Sequence, residues 1–118
     1  MKKCINFPFR STSLGGLTKY YVILDGKILR PSRKVRSKTE RHGEDIYCLS
    51  DEEWGRTIVI GFYQSNSGKR SYDIHKIPKD IEKDKIEEIL REWLYSEVDD
   101  YTIALTIANM LKLLKQNN

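Results

Sequence analysis

The sequence predicts an α+β protein: an antiparallel sheet of about four or five strands, built from two hairpins and covered on one face by two C-terminal helices. Three observations carry that expectation. The hydrophobic period changes from 2 to about 3.6 from Pro78 onward. Two turn sequences, Asp25-Gly26 and Ser65-Asn66-Ser67-Gly68-Lys69, lie between β-rich runs. Strands in one block and helices in the next favour segregated layers over βαβ units. The 118 residues contain no Pro-rich or Gly/Ser-rich linker, so the chain reads as one domain, residues 1–77 β-rich and basic toward the start, 78–118 a helical pair.

The elements follow in order. Residues 4–9 are a short extended run that Pro8 restricts to an edge or an arm, because proline cannot donate to a ladder. A loop with Gly15-Gly16 comes next. Tyr20-Tyr21-Val22-Ile23-Leu24, Asp25-Gly26 and Lys27-Ile28-Leu29-Arg30 read as a type I′ hairpin, in which both turn residues take positive φ. Residues 30–44 are polar without periodicity and read as a loop. Residues 45–49 form a short strand, and Ser50 with Glu53 has the spacing of a capping box. In residues 56–64, Ile58, Ile60 and Phe62 alternate with Thr57, Val59 and Tyr63, and residues 70–77 return as the partner strand. Ile86, Ile89, Leu90, Trp93 and Leu94 mark one face of an amphipathic helix that Asp84 caps. Asp99-Asp100 caps a second helix over residues 101–115. It is apolar on more than one side, which makes it either the central core element or the seam of a homodimer.

Composition removes several classes. No run approaches the ~20 apolar residues of a membrane span. No apolar stretch stands behind Lys2-Lys3, so a secretory signal is not expected and a cytoplasmic location is. Cys4 and Cys48 are then expected as free thiols. With His42 and His75 they match no paired zinc-ligand spacing, so no metal and no cofactor is expected.

Charge is partitioned. Residues 1–41 hold 11 Lys or Arg against 2 acids, net +9, and residues 42–118 hold 10 against 15, net −5. Arg30, Arg33, Lys34, Arg36, Lys38 and Arg41 crowd one stretch whose single acid is Glu40. Arginine forks bind phosphate oxygens in pairs, and Tyr20 and Tyr21 supply rings for stacking on exposed bases. The function expected from this is nucleic-acid binding, alone or within a nucleoprotein machine, by a non-enzymatic accessory protein. Against it stands a solvated loop whose charges do nothing specific or pair with the acidic half. A second reading is a protein-binding modulator or inhibitor of the phage or plasmid type, with Trp54 as interface anchor. A third is a small nuclease-like hydrolase using Asp25, Lys27, Asp73 and His75. Phosphate-binding glycine loops and the nucleophile elbow are absent from the sequence, and Asp25 is better explained as a turn residue.

From Asp45 onward, three strands followed by a helix, with Gly68-Lys69-Arg70 in a turn and Trp93 on the helix, resemble the arm-binding domains that precede tyrosine recombinases. The resemblance covers under half the chain, and no function is carried over from it.

Overall fold

The computed structural model describes residues 2–11, 16–36 and 42–116. The α+β expectation holds: antiparallel strands carry two C-terminal helices on one face. Strand β1 (Lys2–Ser11) is followed by β2 (Gly16–Leu24), β3 (Lys27–Ile28), β4 (Arg33–Arg36) and β5 (His42–Ser50). Helix α1 (Asp51–Arg56) leads into β6 (Thr57–Ser65) and β7 (Arg70–Lys76), and then come α2 (Lys83–Leu94) and α3 (Asp100–Gln116). The strands run in the order β4-β5-β1-β2-β6-β7, with β3 returning on β2. Between β1 and β2 the pairing is confined to Arg10 with Thr18 and Ser11 with Leu17. There the sheet turns a corner. A three-stranded wing (β4-β5-β1) departs from a four-stranded body (β3, β2, β6, β7).

Two apolar clusters fix this shape. On one face of the body, Ile23, Ile58, Ile60 and Phe62 pack against Ile86, Leu90 and Trp93 of α2 and Ile107 and Ala108 of α3. On the other face, Val22 and Val59 meet Phe7 and Tyr47 of the wing, and Trp54 of α1. Residues 57–62 of β6 are therefore buried on both faces. Phe7 touches His75 of β7, with ring centroids 5.7 Å apart. That contact is possible only because the wing folds back over the body.

Several expectations need correction. Residues 30–44 are not one loop, since β4 and the start of β5 lie within them. Strand β1 is no arm: it pairs with β5 from Lys2 to Arg10. Pro8 is tolerated there for a reason of register. The Cys48 amide donates to the Ser32 hydroxyl, and the Ile46 carbonyl accepts from the Ser32 amide, so even-numbered positions of β5 face away from β1. Their partners on β1, Pro8 included, direct their backbone groups away from β5, toward the side where β2 has departed. The same register sets Cys4 opposite Cys48 with Cα atoms 4.0 Å apart, and the two form a disulfide, not the free thiols expected. Helix α2 begins at Lys83, so Asp84 lies in its first turn and is not its cap.

Other local readings hold. Asp25 and Gly26 take φ of 50° and 81°. Ser50 and Glu53 make both capping-box hydrogen bonds, at 3.0 and 3.1 Å. Asp99 caps α3 through the Thr102 amide at 2.8 Å. No helix among the described residues is long and apolar enough to cross a membrane. Of the three strands of the recombinase-like stretch, β6 and β7 pair, but β1 and β2 lie between β5 and β6.

Candidate nucleic-acid interface

The basic stretch becomes the free edge of the wing. Ser32 starts it, clamped to β5 by its amide on Ile46 and its hydroxyl under Cys48. The register then sets Arg33 against Ile46, Lys34 against Asp45, Val35 against Glu44 and Arg36 against Gly43. Side chains on a strand alternate. Arg33 and Val35 therefore stand on the face that carries the disulfide, and Lys34 and Arg36 on the face that carries Phe7 and Tyr47. All four residues of β4 are exposed, as is Arg30 in the connection before it. Among the described residues no carboxylate lies within ion-pair distance of Arg30, Arg33, Lys34 or Arg36, and the ion pairs that do form lie elsewhere. Lys38 and Arg41 lie outside the described residues.

The two tyrosines separate. Tyr20 is half-buried on the side where wing and body meet, with Phe7 at 5.3 Å and His75 at 6.0 Å between ring centroids. Gly61 lies under its ring: a Cβ there would stand 3.0 Å from Tyr20 Cε1. Its contact with Phe7 sets Tyr20 against the wing face that carries Lys34 and Arg36. Tyr21 faces the helices instead. Its hydroxyl donates to Asp100 Oδ1 at 2.9 Å, and its ring meets Phe62 edge-on. It ties β2 to α3 and is not brought to the basic strand.

Trp54 is no surface anchor. It is 6% exposed, its Nε1 donates to the Lys3 carbonyl at 3.1 Å, and its ring packs on Phe7. Burial follows from the capping box, which orients the short α1 so that Trp54, its fourth residue, drops into the wing–body seam.

The groups considered for hydrolysis are spread out. The Asp25 carboxylate receives the Arg56 fork, both contacts at 3.3 Å, which ties the hairpin turn to α1. His75 Nδ1 stands 3.9 Å from Asp73 Oδ2, with both side chains largely exposed. Among the described residues no three His, Cys, Asp or Glu side chains converge as metal ligands.

Two features were not legible in the sequence. Asp45 sits between the basic strand and Phe7 in register, and its Oδ1 is buried without a hydrogen-bond partner among the described residues. Together with burial, which is the larger cause, its charge pushes the Tyr47 hydroxyl up to about 12. Arg70, by sequence the first residue of the returning strand, caps α2 by donating to the carbonyls of Trp93 and Ser96 at 2.9 Å, its guanidinium 4.6 Å above the Trp93 ring. No family model matches this chain, and no curated protein or solved structure is significantly similar to it.

Proposed function

We propose that this protein is an accessory factor that binds nucleic acid, by itself or in a nucleoprotein complex, through the basic edge of its wing. One observation carries the reading: four exposed cations, Arg30, Arg33, Lys34 and Arg36, stand on or beside one ordered edge strand without carboxylate partners among the described residues. A strand holds such groups at fixed spacing, so several phosphates can be neutralised at once with less ordering cost than a loop would require. Tyr20 and His75 offer rings on the same side as Lys34 and Arg36, which suits single strands. Basic side chains also protect an open edge from pairing with other strands. A purely protective role predicts no nucleic-acid affinity, so binding separates the two.

The test is a titration of labelled single- and double-stranded DNA and RNA at ~50 and ~200 mM salt. About four phosphate contacts predict a loss of roughly 10²-fold between those salts. Changing Arg33, Lys34 and Arg36 together to Ala should abolish most of the affinity and lower the logarithmic salt slope by about 3. Absence of binding to all four nucleic acids at ~50 mM salt would end this reading in favour of a protein-binding modulator.

A further inference from the structure

Helix α3 spends one side on the core and leaves the other uncharged in its first three turns. Ile103, Ala104, Ile107 and Ala108 are buried against the body and α2. Tyr101, Leu105 and Leu113 remain 49%, 41% and 60% exposed. No Asp, Glu, Lys or Arg occurs from position 101 to 111. Thr106 donates its hydroxyl to the Thr102 carbonyl at 2.9 Å, so this outward face asks less of water than its composition suggests. The charges sit at the two ends. Glu97, Asp99 and Asp100 mark the start of the helix, and Lys112 and Lys115 its last turns.

We infer that two copies of the chain associate through α3, antiparallel about a two-fold axis near the middle of the helix. The charge pattern selects that orientation. An antiparallel pair lays each acidic start against the partner's basic end, whereas a parallel pair sets acid on acid and lysine on lysine. The helix dipoles oppose one another in the same arrangement. A two-fold interface is self-complementary: the two Leu105 side chains meet near the axis, and Leu113 reaches the partner's Tyr101. The basic edges of the two wings would then belong to one assembly.

Light scattering on the full chain at ~100 µM should give twice 13.9 kDa, and the variant carrying Leu105→Glu and Leu113→Glu should give half that mass with an unchanged circular dichroism spectrum. Wild type at 13.9 kDa, or the folded double variant still at the doubled mass, overturns the inference. Should that variant fail to fold, Leu105→Cys decides. Both native cysteines are in the disulfide, so the new thiol is the one free to cross-link copies on mild oxidation, and no covalent dimer counts against α3. Orientation has its own test. Lys112→Glu should move dissociation to higher protein concentration, and adding Glu97→Lys should restore it; failure of that rescue rejects the antiparallel arrangement.

Discussion

Gly26 shows how one position can answer to two constraints, only one of them local. The Asp25-Gly26 turn needs a positive φ, and the sequence declares that. The second constraint comes from 86 positions away: a Cβ on Gly26 would stand 2.8 Å from the Cβ of Lys112 on α3. Gly26→Ala should therefore cost about 2–4 kcal/mol, combining the left-handed backbone with an overpacked contact. Gly68, at φ 92° with open space around it, isolates the backbone share, and Gly68→Ala should cost about 1 kcal/mol. Equal losses by denaturant titration would show that α3 does not press on the turn. The tyrosines make a second residue-scale case. Burial raises the hydroxyl of Tyr47 to about 12. Burial first, and then the bond to the Asp100 carboxylate, raise that of Tyr21 further. The folded state thus keeps protons that the unfolded chain releases near 10.0. Their contribution is complete below that pH and is lost as pH rises toward the folded values. Denaturation midpoints should fall between about pH 9 and about pH 11.5, and Tyr21→Phe should make that fall shallower. A flat profile would mean that neither hydroxyl is held back.

At the scale of elements, the disulfide joins strands that the sequence separates by 44 positions. Closing a loop of that length predicts about 2–4 kcal/mol of stabilisation. Reduction, or replacement of Cys4 and Cys48 together by Ser, should lower the denaturation midpoint accordingly, and an unchanged midpoint would show the bridge to be dispensable. Nothing in the sequence pairs these cysteines. Their meeting depends on the register of β1 on β5, which is set by long-range packing of Phe7 and Tyr47. Elements that bury apolar side chains were legible, because burial writes a period or a β-rich apolar run into the chain: α2, α3, β6 and the Asp25-Gly26 hairpin were all readable. Strand β4 was not. An edge strand exposed on both sides has no face to bury and hence no alternation, so Arg33–Arg36 look like loop. The candidate site was legible as a cluster of charge and illegible as a strand. For the same reason Tyr20 and Tyr21, adjacent in sequence, were grouped together although a strand sends them to opposite faces.

Across the whole molecule, the two clusters have unequal tasks. The helix-facing cluster joins the body to α2 and α3 and includes Trp93, Leu90 and Phe62, all nearly inaccessible. The smaller cluster around Phe7 holds the wing, and the wing carries the basic edge. The link from sequence to proposed function therefore passes through a few rings: Phe7 contacts Tyr20, Tyr47, Trp54 and His75. Phe7→Ala removes all four contacts and should cost about 3–5 kcal/mol. The loss should be uneven. Strand β5, and β4 beyond it, reach the body chiefly through β1, so their amides should lose exchange protection first, while those of β6 and α2 stay protected by the helix-facing cluster. Hydrogen exchange by mass spectrometry would show this as early deuteration of the peptides spanning β4 and β5. If protection falls equally in wing and body, the sheet opens as one cooperative unit and the corner between β1 and β2 is not a boundary in its energetics. If the wing alone loosens, nucleic-acid affinity should weaken in Phe7→Ala although no charge has changed, because the cations would no longer be held at fixed spacing.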